Sequence, residues 1–116
     1  MIRATILRTV PQGTIEAFTV EGHALYGDPG KDIVCAGVSA VTIGTVNAVE
    51  ALLKVELPCQ VDKGWLHADI PVEARSNPEL QLLLESMAVM LESIAQAYGT
   101  YMLLEDKYSG KEETTC

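Results

Sequence analysis

The sequence has little positive charge. Its 116 residues include only 8 Lys and Arg against 16 Asp and Glu, which gives a net charge of −8. Proteins that bind nucleic acid neutralise phosphates with clustered Lys and Arg, so this balance argues against a direct nucleic-acid partner. The acidity is typical of an ordinary solvated surface, and it also suits attraction to a basic protein partner.

Aromatic residues are scarce as well, at 5% of the chain with one Trp and one Phe. Hydrophobic residues of all kinds make up 48%, so a core can form but must be mainly aliphatic. The length is that of a single domain. We therefore expect one domain over residues 1–116, with the polar segment 109–116 as a flexible tail.

Cysteine is rare, and the three that are present, Cys35, Cys59 and Cys116, stand in unrelated contexts. An odd number of isolated cysteines argues against a disulfide framework, and the missing CxxC pair argues against a thioredoxin-like redox site. Paired metal ligands at short spacing are also missing, so we predict no metal and no cofactor. We find no secretory signal and no apolar run near the roughly 20 residues of a membrane helix, which favours a cytoplasmic protein without a membrane partner.

The sequence does contain alternating strand and helix patterns. Segments rich in β-branched residues predict strands, and apolar residues at helical spacing behind an N-cap predict helices. The predicted order is strand Ile2–Thr9, strand Thr14–Glu21, helix from the Asp32 cap to about Lys54, strand Gly64–Ile70, helix from Asn77-Pro78 to Gly99, and strand Thr100–Lys107. We expect an α+β two-layer sandwich, in which a mixed or antiparallel sheet of about four strands carries two helices on one face.

The first predicted helix has two distinctive faces. Small residues at Gly37, Ala40 and Gly44 allow another backbone to approach closely, either the sheet or a helix of a second subunit. An apolar stripe at helical spacing is predicted to face the core. The members of this stripe are Val34, Val38, Val41, Thr45, Ala48 and Leu52.

One histidine and one cysteine flank a glycine-rich loop. His23 closes the second strand, and Cys35 falls at the third position of the helix that Asp32 caps. A thiol in the first turn of a helix ionises readily, because the helix dipole favours the anion. A nearby histidine can exchange a proton with it, which is the minimal equipment of a cysteine protease. The N–H groups of this turn, including that of Cys35, are expected to contribute to an oxyanion hole.

The spacing alone leaves a structural interpretation open. A single cysteine in a helix is most often a buried small hydrophobe, and a histidine after a strand is most often a surface or capping residue. A separation of twelve residues, from His23 to Cys35, allows the two side chains to meet but does not require it.

Three segments carry a resemblance to a known family, namely GHA at 22–24, GKDIVCA at 30–36 and VSA at 38–40. Together they resemble the signature of the bacterial ribosomal-processing cysteine protease Prp family, and the layout of nearly the whole chain is similar too. The resemblance implies that Cys35 is the nucleophile and that His23 is the general base and later the general acid. It also implies supporting roles for Asp32 and Ser39.

The same resemblance implies a substrate, a partner and a moving part. Prp-like enzymes act as homodimers and remove an N-terminal extension from the large-subunit ribosomal protein L-twenty-seven, cutting after paired aromatic residues. The loop over the site is expected to open for substrate, and its gate residues are Gly27, Asp28, Pro29, Gly30 and Lys31.

Two functions from other classes compete with proteolysis. The first is a non-catalytic ribosome-assembly binding module, in which Cys35 would be buried and inert. The second is a purely structural dimerisation domain, which would give the loop no reason to move. Reactivity of Cys35 toward an alkylating reagent separates the protease from both, because only an ionised and reachable thiol reacts readily near neutral pH.

Overall fold

The first two strands form an antiparallel hairpin at the centre of the sheet. In the computed structural model, which describes residues 1–28 and 30–109, β1 spans Ile2–Arg8 and β2 spans Ile15–Glu21. Ala4 pairs with Val20, and the register shifts by one residue between Leu7 and Arg8. Alternate β1 residues are buried because one face of the sheet is covered and the other is not. The predicted hairpin is confirmed.

The sheet is mixed and has five strands rather than about four. β3 (Cys59–Asp62) and β4 (Trp65–Asp69) form a second hairpin, and β5 (Met102–Tyr108) runs parallel to β1. The strand order is β3-β4-β2-β1-β5. β3 was missed because this short edge strand has no buried residue and therefore no alternating pattern.

The first helix, α1, spans Ile33–Leu53 and begins where the sequence predicts. Asp32 is its N-cap, and Lys54 ends it in a left-handed conformation. Leu52 was wrongly placed on the core face, since it is 69% exposed. The core side of the last turns runs through Val49 and Leu53 instead. The fully buried residues of α1 are Val34, Val38, Thr42, Thr45 and Val49.

The sequence analysis expected no apolar run near the length of a membrane helix, and α1 is an exception to that expectation. The helix has 21 residues with Glu50 as its one charged residue, and its mean hydropathy reaches 1.6 over an 18-residue window. By length and composition it could therefore cross a membrane, a test that the core helix of a water-soluble fold also passes. Here Val34, Val38 and Val49 belong to the main hydrophobic core beside the strands.

The second helix, α2, spans Pro78–Ala97, after a short 3-10 turn at Val72–Ala74. Its predicted start is confirmed, because the Asn77 side chain accepts hydrogen bonds from the N–H groups of Glu79 and Leu80. Both helices and the inner face of the sheet share one hydrophobic core, as predicted for two layers. The fully buried residues of α2 are Leu80, Leu84, Met87, Ala88 and Leu91.

The chain leaves the sheet at the end of β5. The N–H of Ser109 still donates to the carbonyl of Arg8 at 2.8 Å. The remainder of the predicted tail, residues 110–116, lies outside the described residues, as does Pro29 of the predicted gate. The end of β2 and the start of α1 both lie within the described residues.

Candidate active site

The first turn of α1 holds Cys35 through the cap made by Asp32. The Oδ1 atom of Asp32 accepts hydrogen bonds from the N–H of Val34 at 3.0 Å and from the N–H of Cys35 at 3.1 Å. The cap therefore occupies the N–H of Cys35, which the sequence prediction had assigned to an oxyanion hole. In the free protein this N–H is therefore satisfied by the cap, and its part in an oxyanion hole stays a prediction.

The second carboxylate oxygen of Asp32 fastens the loop above the helix. It accepts hydrogen bonds from the N–H of Tyr26 at 2.9 Å and from the N–H of Gly27 at 3.1 Å. One side chain thus ties the covering loop, which we define as residues 25–31, to the helix that carries Cys35. Desolvation raises the pKa of Asp32, but the four N–H donors outweigh it, so this pKa lies below its ordinary value of 3.8.

We expect the carboxylate of Asp32 to make stability depend on pH. A folded-state pKa below the unfolded one means that ionised Asp32 stabilises the fold above about pH 3.8, and that this contribution is lost as the pH falls through the folded value. Melting temperatures of the wild type and of Asp32→Asn should therefore differ at neutral pH and converge in acid. Asp28→Asn, an exposed site in the same loop, controls for the change in charge. A gap between wild type and Asp32→Asn that stays constant at every pH would contradict this role.

His23 and Cys35 lie at the same two clefts, and within residues 1–28 and 30–109 no hydrogen bond joins their side chains. His23 is exposed just beyond β2, Cys35 is half-buried, and the side chains line the same two clefts. Between them, the N–H of Ala24 donates to the Sγ atom of Cys35 at 3.4 Å. This N–H lies next to the sulfur, so it is a further candidate for an oxyanion donor.

Two clefts meet at this pair. The smaller, of about 190 Å³, lies between the first half of α1 and the β3–β4 hairpin. The larger, of about 540 Å³, lies under the covering loop. His23, Cys35 and Ser39 line both, so an extended chain lying across the site would pass the sulfur with a cleft on either side. The apolar residues of the smaller cleft are Ile2, Val20, Val38, Ile43, Val61, Trp65 and Leu66.

The covering loop lies where the sequence placed the gate. Gly27 and Gly30 line the larger cleft, and Asp28 and Lys31 are exposed. The loop makes a turn in which the N–H of Lys31 donates to the carbonyl of Asp28 at 2.9 Å. Gly30 has a φ of +82°, a conformation that glycine adopts at little cost. The opening of the covering loop for substrate stays a prediction.

Sequence reasoning missed two parts of the site, the Ala24 N–H and Gly64. A methyl group built on Gly64 would lie 2.7 Å from Nε2 of His23, so the turn between β3 and β4 touches the imidazole directly. The sequence did contain a signal, since Asp62-Lys63-Gly64 has the composition of a tight turn with glycine at positive φ. Because β3 was not predicted, this turn could not be assigned to a hairpin.

The other cysteine described, Cys59, is a thiol of a different kind. It lies at the start of β3, half-buried against the core, and its side chain lines neither cleft. Desolvation raises the pKa of Cys59, which keeps the thiol protonated near neutral pH. These are the properties of a thiol that contributes to packing.

A partly exposed thiol in the first turn of a helix, lining two clefts together with an imidazole, is an arrangement suited to a cysteine peptidase. A family model described as cysteine protease Prp matches residues 1–103. The chain is also 40% identical over 102 residues to the ribosomal processing cysteine protease Prp of Bacillus subtilis strain 168, covering 84% of this chain and 90% of that one. The chain belongs to the cysteine protease Prp family.

Solved structures agree with this assignment. The fold is similar to that of the essential ribosomal processing protease Prp of Staphylococcus aureus in complex with a covalently linked product peptide, with a TM-score of 0.85 and 35% identity over 92% of this chain and 100% of that one. The complex of that protease with a substrate peptide gives a TM-score of 0.78 at 33% identity, with the same coverage. The family, the α+β fold and the class of enzyme expected from the sequence are confirmed.

Proposed function

We propose that this cysteine protease removes the N-terminal extension of the large-subunit ribosomal protein L-twenty-seven, cutting after paired aromatic residues. The observation that carries the proposal is the meeting of two open clefts at Cys35 and His23. The relatives support it, since those of B. subtilis and S. aureus are named for ribosomal processing. The net charge of −8 suits a basic ribosomal substrate.

The reaction begins with proton transfer from the Cys35 thiol to the His23 imidazole. The sulfur attacks the scissile carbonyl carbon, a C–S bond forms, and the carbonyl electrons move to oxygen. The N–H of Ala24, now 3.4 Å from the sulfur, donates to that oxygen as negative charge develops. Collapse of the tetrahedral intermediate breaks the C–N bond, and the His23 imidazolium gives its proton to the leaving amine.

The second half of the reaction uses the same groups with water in place of the amine. His23 takes a proton from water as it attacks the thioester carbonyl, and the C–S bond breaks to return the thiol and release the extension as a carboxylic acid. Asp32 supports both halves by holding the covering loop and the first turn of α1 in register. Ser39 lines both clefts and contacts the peptide on either side of the cut.

The smaller cleft suits an apolar side chain next to the cut. Its walls combine aliphatic residues with Trp65, and a neutral aromatic side chain can bury its surface there without leaving a charge unpaired. The larger cleft lies under the covering loop, which opens to admit the extended peptide. No nucleic acid or cofactor enters this mechanism.

The enzyme works in the cytoplasm as a homodimer in this proposal. An apolar groove between the helices faces away from the sheet, and Gly44 leaves open space at its centre. Such a groove on an apolar helix is suited to a second copy of the chain. The groove residues are Ala40, Val41, Gly44, Thr45, Ala48, Leu83, Ser86 and Met90.

Cleavage of a matched set of substrates tests the function. We expect the protease to shorten the host's L-twenty-seven precursor at one bond directly after the paired aromatics, as read by intact mass. Changing both aromatics to alanine should reduce the rate by at least about 100-fold, since each removes an apolar anchor of roughly 1.5–3 kcal/mol. The mature protein without the extension is the control and should stay intact. Equal cleavage of the aromatic and alanine precursors would refute the proposed specificity.

A further inference from the structure

The turn between β3 and β4 lies against the imidazole of His23. A methyl group built on Gly64 would lie 2.7 Å from Nε2 and 3.1 Å from Cε1 of that ring. Carbon atoms of real side chains do not approach a ring this closely, so the ring can occupy its position only because residue 64 has no side chain. The contact involves the ring edge that carries Nε2.

The same glycine also holds the backbone that leads to His23. The N–H of Gly22 donates to the carbonyl of Gly64 at 2.9 Å. On its other side, Gly22 is packed so closely against the Met1 carbonyl that a side chain there would collide with it. The chain just before His23 is therefore fixed by backbone on both sides, and one edge of the imidazole rests against Gly64.

We propose that Gly64 is a positioning residue for His23, and that the β3–β4 turn is the seat that keeps the imidazole beside Cys35. This inference rests on the proposed function, in which His23 is the general base. Gly64 has no proton to transfer and acts through the histidine. A side chain at position 64 would push the ring out of its seat, toward the clefts that His23 lines.

Gly13 provides a matched comparison within the same chain. Its φ of +75° is close to the +72° of Gly64, so an alanine at either site meets the same unfavourable backbone conformation. A methyl group on Gly13 would meet only the Cε2 atom and the hydroxyl oxygen of Tyr108, both at 3.8 Å, which are ordinary contacts. A difference between Gly64→Ala and Gly13→Ala therefore reports the contact with His23 rather than the strain of the turn.

The experiment compares Gly64→Ala with Gly13→Ala in the full chain. We expect Gly64→Ala to lower kcat on the tailed substrate by roughly 10- to 100-fold, because misplacing a catalytic group by about 1 Å can cost about that much. KM should change by less than about threefold, since the loss falls on the chemical step. With decreasing pH, the rate of Gly64→Ala should fall less steeply than the rate of the wild type. Gly13→Ala should keep the kcat, the KM and the pH profile of the wild type.

A second pair of variants, with asparagine at the same two positions, distinguishes a displaced ring from a protein that fails to fold. Asparagine tolerates positive φ better than other side chains, so Gly64→Asn should melt close to Gly13→Asn while still displacing the ring. We expect Gly64→Asn to lose at least as much kcat as Gly64→Ala. Wild-type kcat in a folded Gly64→Asn, or an equal loss in Gly13→Asn, would overturn the inference.

Two readouts without substrate separate this inference from the proposed function. We expect Gly64→Asn to shift the His23 ring signals in NMR spectra and to slow alkylation of Cys35 by iodoacetamide near neutral pH, measured by peptide mass. If the wild type fails to cut the tailed protein, the proposed function fails while these readouts still test the seat. Unchanged His23 signals and an unchanged alkylation rate in Gly64→Asn would overturn the positioning role alone.

Discussion

Replacement of Cys35 by alanine is expected to reduce cleavage of the tailed ribosomal protein by at least about 10⁴-fold, because Cys35 carries the one thiol that lines the clefts among the described residues. The Ala24 N–H and both clefts stay in place in this variant. Binding of the uncut precursor should therefore persist within a few-fold of the wild type. Single-turnover conversion on gels gives the rate, and fluorescence anisotropy of a labelled precursor gives the affinity.

Cys59→Ala is the matched control for that experiment. It removes the same atoms from a half-buried thiol that lines neither cleft and whose pKa is raised by desolvation. We expect its cleavage rate to stay within about twofold of the wild type, since the change is small and distant from the chemistry. Substantial cleavage by Cys35→Ala, or a comparable loss in Cys59→Ala, would remove Cys35 from the role of nucleophile.

Replacement of His23 by alanine is expected to lower kcat by about 10²- to 10⁴-fold, the usual contribution of a positioned general acid–base. The loss should be greatest near neutral pH and shrink at high pH, where hydroxide can ionise the thiol without help from the imidazole. A plot of kcat against pH for both proteins measures this convergence. A variant that loses the same factor at every pH would show that His23 acts in some other way.

The second histidine of the chain controls for the loss of an imidazole. His67 lies in β4 on the outer face of the sheet, where Nδ1 is 2.8 Å from Thr19 Oγ1 and Nε2 is 3.0 Å from Asp69 Oδ1. It lines neither cleft, and its ring stacks on that of Trp65, a residue of the smaller cleft, with the ring centroids 6.0 Å apart. We expect His67→Gln to keep the kcat and the pH profile of the wild type, whatever it costs in stability.

Local chemistry explains which parts of the fold the sequence could predict. The Asp32 and Asn77 caps are encoded within three residues of the N–H groups they satisfy, so both helix starts were predicted correctly. Alternation in β4 is equally local, since Leu66 and Ala68 are buried in the core while Trp65 and His67 lie on the other side of the strand. These features depend on neighbours in sequence and need no knowledge of the tertiary structure.

The features that the sequence analysis did not predict depend on contacts between segments that are distant in sequence. β3 is an edge strand whose existence is decided by pairing with β4, not by its own pattern. The seat at Gly64 depends on a turn meeting a histidine from another hairpin, 41 positions earlier in the chain. The hydrogen bond from the Ala24 N–H to the Cys35 sulfur depends on the same kind of contact, since it joins the chain after β2 to α1 across the covering loop.

The candidate nucleophile illustrates the same division. Its place in the first turn of α1 followed from the Asp32 cap, and the motif resemblance added the role. Whether the thiol was buried or reachable could not be read from the sequence, because that depends on how the covering loop and the β3–β4 hairpin pack around the helix. The structure leaves Cys35 half-buried and facing two clefts, unlike the sealed thiol that a binding module would hold.

Labelling with a substrate-derived affinity reagent tests the central claim most directly. The reagent is a peptide with the sequence of the host's extension up to the cut, ending in a chloromethyl ketone, which alkylates a nucleophile held at the scissile carbonyl. We predict one label per chain, located on Cys35 by peptide mass, with cleavage activity falling in proportion to labelling and no label on Cys35→Ala. Full cleavage activity in a chain whose Cys35 is labelled, or a label that inactivates the enzyme from another residue, would contradict the account.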